Sequence, residues 1–241
     1  MPEPTTTNGT FKEHEAMLSV IIPTLNAADT LAATLDALLG AAVPGLDIVV
    51  VDGGSNDATA HIANERGVRV LTCAAGRGRQ LALGAQEARA DWLWFLHADS
   101  QLPHGWLEVV SRFITNDDNV DRAGYFALRF DDPGSGAKRV AMLANWRAKR
   151  FGLPYGDQGL VIHRSLYDDV GGFDVTLRWM EDVEINRRIG PMRLVRLPAS
   201  LTTSAAKYRT GGWWARPTKN LLCLALYLAG APQGWIERLQ R

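Results

Sequence analysis

The chain has 241 residues, 46% hydrophobic and 22% charged, enough for one large α/β domain or two small ones around a true core. Its 26 basic and 26 acidic residues cancel, which argues against a general nucleic-acid binder. Two distant cysteines, Cys73 and Cys223, argue against a disulfide scaffold or a zinc site and fit a reducing compartment.

Residues 1–16 (MPEPTTTNGTFKEHEA) are polar and lack the apolar stretch of a signal peptide, so a disordered leader is expected. Residues 18–22 (LSVII) form a β-branched apolar run closed by Pro23, a first strand. Residues 27–39 carry Leu31, Leu35, Leu38 and Leu39 at helical spacing, with Asn26 or Asp29 placed to cap them. Residues 47–51 (DIVVV) read as a second strand ending at Asp52. A helix over 57–66, a strand over 68–72 and an Ala- and Leu-rich helix over 78–89 follow. Residues 92–96 (WLWFL) read as a fourth strand buried on both faces, and 106–114 as a helix. This alternation predicts a doubly wound α/β fold, a mostly parallel sheet with helices on both faces. The second half is less regular, with short strands over 125–130, 159–162 and 195–197 and a helix opened by 179–184 (WMEDVE). No stretch reaches the roughly 18 apolar residues of a membrane span; the nearest is 221–231 (LLCLALYLAGA).

Open α/β sheets bind ligands beyond the carboxyl ends of their strands. There the chain places Thr24 to Asn26 after strand one, Asp52 after strand two and His97 to Asp99 after strand four. Asp52 can accept hydrogen bonds from a base or ribose, and Gly53 and Gly54 let the backbone approach a ligand. The same residues would equally make a turn, with Ser55 or Asp57 capping the next helix. The stretch 76–80 (GRGRQ) before a helix suits a diphosphate, or is a solvated basic loop. Asp99 beside a diphosphate would call for a divalent cation between them, Mg²⁺ or Mn²⁺ sharing oxygen ligands with the phosphates. Glu181 and Asp182 either complement a helix dipole or supply a general base.

Together, Pro23-Thr24-Leu25-Asn26, residues 51–59 (VDGGSNDAT), Gly76-Arg77-Gly78, His97-Ala98-Asp99 and Glu181-Asp182 resemble family 2 glycosyltransferases in order and spacing. The resemblance covers roughly residues 18–205. It is nearest to a small bacterial subgroup associated with radical-SAM, selenodomain or arsenosugar genes, with FLHAD, PYGDQ and MEDVE motifs. It implies a GT-A fold, a nucleotide-diphospho-sugar donor, UDP-linked in most members, and a divalent metal. It implies a domain over 17–205, with a nucleotide-sugar half over 17–101 and an acceptor half over 102–205. By motif, Pro23, Thr24, Asn26, Asp52, Gly53, Ser55, Arg77, Ala98 and Asp99 would surround the nucleotide-sugar. Asp99 would hold the metal, with His97 a weak ligand. Tyr155, Asp157 and Gln158 would lie on the acceptor side. Asp182, beside Glu181, would be the base of an inverting transfer. Two positions depart from the pattern: His97 replaces the first Asp of Asp-X-Asp, and Ala27 replaces a Glu after Asn26.

Other readings stay open at this point. A nucleotidyltransferase should carry a Gly-rich signature after strand one, which Pro23-Thr24-Leu25-Asn26 is not. A non-catalytic nucleotide-sugar-binding protein would account for His97. A dehydrogenase lacks its G-x-G-x-x-G. In residues 206–241, a helical tail, Arg209, Arg216 and Lys219 surround Trp213-Trp214 ahead of the apolar stretch. Such a segment suits a membrane surface and a lipid-linked acceptor, or packs on the core or on a second copy in a homodimer. The protein is placed in the cytoplasm, either free with a small-molecule acceptor or peripheral at the inner face of the cell membrane.

Overall fold

A computed structural model describes residues 17–41 and 43–240; the expected leader lies outside the described residues. The chain runs β1 (Leu18–Thr24), α1 (Ala28–Leu39), β2 (Leu46–Asp52), α2 (Thr59–Glu65), β3 (Arg69–Thr72), α3 (Arg77–Glu87), β4 (Trp92–Phe95) and α4 (Trp106–Ile114). It continues through β5 (Ala123–Phe130), α5 (Ser135–Phe151), β6 (Leu160–His163), α6 (Arg164–Asp169), α7 (Glu181–Ile189) and β7 (Leu194–Thr203). Three helices close it: α8 (Ala206–Gly211), α9 (Ala215–Leu228) and α10 (Gln233–Gln240).

The seven strands form one sheet in the order β3-β2-β1-β4-β6-β5-β7. β1 pairs in parallel with β2 and β4, and β2 with β3. β6 runs antiparallel to both β4 and β5, while β5 and β7 are parallel. The expected parallel sheet therefore holds over the first four strands and becomes mixed beyond them. Strand order reverses at β1, so the carboxyl ends of β1, β2 and β4 open on one crevice.

Side chains alternate across the sheet. Leu18, Val20 and Ile22 enter one apolar layer with α1 and α4, and Ile21 enters the other with Leu81 of α3 and Ile185 of α7. Burial on both faces explains the unbroken apolar runs of β1, β2 and β4. Helix α3 lies so close to β1 that a Cβ on Gly84 would meet Ile21 Cγ2 at 2.3 Å.

Several expectations need correction. Neither Asn26 nor Asp29 caps α1; the Ala28 N–H donates across the crevice to Asp57 Oδ2 at 3.1 Å, and Asp57 also accepts from the Thr59 N–H at the start of α2. Helix α5 was not read from the pattern, because its buried positions are the small Ala137, Ala144 and Ala148. It is pinned to β5 by Asn145, which accepts from the Leu128 N–H at 2.8 Å and donates to the Leu128 carbonyl at 3.0 Å. Strand β7 is far longer than residues 195–197. Its register against β5 slips between Tyr125 and Ala127, opposite Arg196 and Ser200, so Pro198 falls in the bulge, where its missing N–H costs no ladder bond.

Candidate active site

The floor of the crevice is the end of β1 and β2. Asp52, 4% exposed, accepts from the N–H groups of Gly54 and Ser55 at 3.1 and 2.9 Å and from the hydroxyls of Thr24 and Ser55. Its carboxylate thus holds the 53–56 turn, whose Ser55 hydroxyl bonds to Asp52 and Asn26 and does not cap α2. Asn26 sits at φ 50°, a left-handed backbone in which Asn is among the tolerated residues. Its side chain accepts from the Asn56 N–H at 2.9 Å, and its own N–H donates to Ser55 Oγ at 2.8 Å. The two strand-end loops are therefore laced into one surface. Beneath them the buried Gln80 amide donates to the carbonyls of Thr24 and Val51, both at 2.8 Å.

The loop after β4 is held from three sides. Thr34 Oγ1 lies 2.9 Å from the Ala98 carbonyl and 3.1 Å from that of Ser100. Gln101 and Thr202 exchange backbone hydrogen bonds, and Thr203 donates to Asp99 Oδ2 at 3.1 Å. Asp99 keeps Oδ1 toward His97, 3.9 Å from Nδ1.

The opposite wall is strongly acidic. Helix α7 begins with Glu181 and Asp182 in its first turn, where the helix dipole favours negative charge. Asp182 accepts from the Gly156 N–H at 2.8 Å and from the Val183 N–H at 2.7 Å. Glu181 is 3% exposed and lies 3.5 Å from Arg77 Nη1. Burial pushes the Glu181 carboxyl up, as does Asp182, while Arg77 pulls it down. Burial likewise pushes Asp157 up to about 6, with Arg147 opposing and Asp182 adding to the rise. Asp157 Oδ1 is buried with no hydrogen-bond partner among the described residues. Burial disfavours the Arg77 charge, but Glu181, Asp182, Asp157 and Asp99 outweigh it and raise its pKa. The Arg77 guanidinium, 43% exposed, pairs with Glu181, and the charges of Asp182, Asp157 and Asp99 act on it as well.

Arg77, His97, Tyr155, Glu181 and Asp182 line a cavity of about 30 Å³, room for a water or two, beside the open crevice. Gly156 packs under His97, where a Cβ would meet Nε2 at 2.6 Å. The fold thus brings Thr24, Asn26, Asp52, Gly53 and Ser55 together on the floor, and Arg77, His97, Asp99, Tyr155, Asp157, Glu181 and Asp182 along the wall. Gln158 departs from its expected place. Its side chain is fully buried and donates to the Phe126 carbonyl at 3.0 Å, so it shapes the 155–158 loop from behind. Sequence reasoning did not single out Gln80, Thr34, Arg147 or Thr203, whose partners are remote in sequence.

Among the described residues no group of three His, Cys, Asp or Glu could hold a metal ion by itself. Asp99 and His97 supply at most two ligands, which fits a cation that completes its shell with substrate phosphate oxygens.

Residues 19–175 match the model of Glycosyl transferase family 2. The chain belongs to that family. A PGL/p-HBAD biosynthesis glycosyltransferase of Mycobacterium bovis is 39% identical over 188 residues, covering 71% of this chain and 69% of the relative. Among solved structures, the mannosyltransferase PcManGT from Pyrobaculum calidifontis in complex with GDP-Man and Mn²⁺ superposes with TM-score 0.68 at 19% identity, covering 93% of this chain and 68% of that one. Glucosyl-3-phosphoglycerate synthase from Mycobacterium tuberculosis, in complex with Mn²⁺, uridine diphosphate and glucosyl-3-phosphoglycerate, does so with TM-score 0.59 at 20% identity, covering 90% and 81%. The sheet and its flanking helices are those of a GT-A fold, and the protein is a family 2 glycosyltransferase. Membership sets aside the nucleotidyltransferase and dehydrogenase readings.

Proposed function

We propose that this glycosyltransferase moves a sugar, with inversion, from a UDP-sugar to an acceptor hydroxyl, with a divalent cation at Asp99. The nucleotide lies over the floor formed by Thr24, Asn26, Asp52, Gly53 and Ser55, and the acceptor approaches past Tyr155 and Asp157. Residues 17–101 serve the donor and 102–205 the acceptor. The observation that carries this reading is the gathering of Arg77, His97, Glu181 and Asp182 around one cavity at the carboxyl edge of the sheet, with Asp99 Oδ1 3.9 Å from His97 Nδ1. Carboxylates so placed would repel a diphosphate at close range unless a cation stood between them. The Mn²⁺ complexes of the two structural neighbours support the same reading.

Asp182 is the base. It is held by two N–H donors and is half-buried, whereas Glu181 is closed in against Arg77. Asp182 takes the acceptor proton as the acceptor oxygen bonds the anomeric carbon. The bond from that carbon to the diphosphate oxygen breaks, and its electron pair leaves with the diphosphate. Glu181 fixes Arg77 toward the departing charge. A divalent cation, Mn²⁺ or Mg²⁺, when bound with the donor supplies charge neutralisation for the leaving diphosphate. Asp99 would hold it, with His97 beside.

The test is calorimetric titration with UDP, with and without Mn²⁺, on wild type and Asp99→Ala. The expected result is binding that Mn²⁺ strengthens in wild type and leaves unchanged in the variant. Metal-independent binding that is equal in both proteins would remove Asp99 from the donor site.

A further inference from the structure

Two outward helix faces lie outside the site, and they share one chemistry. On α5, Arg139, Met142, Leu143, Trp146 and Arg150 fall at spacings of three and four, one stripe of the helix. Met142 is 61% exposed, Leu143 53% and Trp146 57%, with a cation at each end of the stripe. On α9, Cys223 and Leu224 face inward, while Trp214 at its start, Leu221, Leu222 and Leu228 face out. The two helices are joined: Trp213 packs on Gly136, and the Arg139 guanidinium lies 4.8 Å over the Trp214 ring. Scattered exposed apolar residues are ordinary, but apolar stripes edged by cations are not.

Charge is what selects the occupant. Residues 133–156 and 204–232 hold nine Lys and Arg and no Asp or Glu, in a chain whose total charge is zero. Among the described residues none of Lys138, Arg139, Lys149, Arg150, Arg216 and Lys219 forms an ion pair. A two-fold dimer through this face would set the patch against itself and oppose like charges. An anionic bilayer offers what both components need: phosphate for the cations and an interfacial layer for Trp146, Trp214 and the Leu and Met side chains. No helix among the described residues is long and apolar enough to cross a membrane, so contact would be in the plane of the surface.

We propose that the α5 and α9 faces together form a docking surface for anionic phospholipid bilayers. The surface adjoins the site. Arg147 of α5 lies 3.3 Å over the Tyr155 ring, and Tyr155 packs with the cluster containing Cys223, Leu224 and Met180. An acceptor anchored in the bilayer would be delivered beside Asp182. That consequence rests on the proposed transfer reaction; the docking itself does not.

The experiment is flotation of the full chain with vesicles of phosphatidylcholine alone or with about one-third phosphatidylglycerol, at low and high salt. Binding is expected only to the anionic vesicles, falling with salt. Lys149→Glu/Arg150→Glu and Met142→Ser/Trp146→Ser should each weaken it by about ten-fold or more, with unchanged thermal melts. Leu39→Ser, an exposed apolar residue of α1, should bind as wild type does. Failure of the wild-type chain to float with anionic vesicles at low salt overturns the proposal. So does equal flotation of wild type and both double variants, or a dimer in sedimentation that Met142→Ser/Trp146→Ser dissociates while vesicles are ignored.

Discussion

On the floor of the crevice, Asp52 spends its carboxylate on Thr24, Gly54 and Ser55, and among the described residues it forms no ion pair. On the wall, Glu181 pairs with Arg77, the charges of Asp99, Asp157 and Asp182 act on the same guanidinium, and Asp157 keeps an oxygen with no hydrogen bond among the described residues. Both regions are built at strand or helix ends and both use acidic residues. The difference is in who satisfies them. Carboxylates that close a turn hold a shape whatever the ligand. Carboxylates left crowded store unfavourable electrostatics that a substrate or cation relieves, which is how functional sites come to hold shifted groups.

The sharpest way to break this comparison is at Asp182. Asp182→Asn keeps an oxygen to accept from Gly156 but cannot take a proton. Turnover should fall by about 10²–10⁴-fold while UDP affinity stays within a factor of two or so, read by steady-state kinetics and calorimetry. Near-normal turnover would move the base elsewhere on the wall. On the floor the matching disruption is structural. Gln80→Leu removes two buried hydrogen bonds, but the Thr24 carbonyl still accepts from the Gly53 N–H, and the Val51 carbonyl keeps only a long approach, 3.4 Å, from the Thr24 hydroxyl that also serves Asp52. The expected loss is about 1–3 kcal/mol in denaturant melts, with donor affinity weakened as the floor loosens. Unchanged stability would mean that the strand ends hold their spacing without Gln80.

The floor was more legible than the wall. Strands buried on both faces announce themselves as apolar runs, so β1, β2 and β4 and the residues at their ends follow from residues 18–99 almost by inspection. The wall depends on the second half, where the usual signals fail. Helix α5 buries alanines and exposes Met142, Leu143 and Trp146, so its large apolar residues mark the surface and not the core. Pro198 disguises the middle of a ten-residue strand. The antiparallel setting of β6 leaves no trace in LVIH. Asp157, Glu181 and Asp182 were named from motifs, yet their setting depends on partners remote in sequence, Arg77 for Glu181 and Gly156 for Asp182. Arg147, stacked on Tyr155, carries no local pattern that would single it out.

Asp157 sharpens the contrast through pH. Its folded-state pKa, about 6, stands above the usual 3.8, so the folded protein holds this proton more tightly than the unfolded chain. A raised carboxyl contributes stability that is fully present below the unfolded value and is lost as pH rises through the folded one. Between about pH 4 and 6 the Asp157 contribution should therefore fall as pH rises. Asp157→Asn removes that dependence. In metal-free buffer the variant should gain stability relative to wild type by on the order of 1–2 kcal/mol between pH 4 and 8, after allowing for solvent screening at the open crevice. Thermal melts across that range check it. A wild-type to variant difference flat with pH would place Asp157 with the satisfied carboxylates of the floor.

The smallest effect expected is at Asn26, where the floor carries its own strain. The backbone stands at φ 50°, and the side chain accepts from the Asn56 N–H. Asn26→Gly removes the hydrogen bond but suits the backbone; Asn26→Ala removes the bond and adds the left-handed penalty of a Cβ. Alanine should therefore cost about 1 kcal/mol more than glycine in stability. Donor affinity should order the other way from a simple contact loss: glycine, which keeps the turn, should bind UDP more tightly than alanine, although both lack the amide. If the two variants bind alike, the amide and not the turn is what the nucleotide reads at Asn26. The floor would then resemble the wall, since its side chains too would await a ligand.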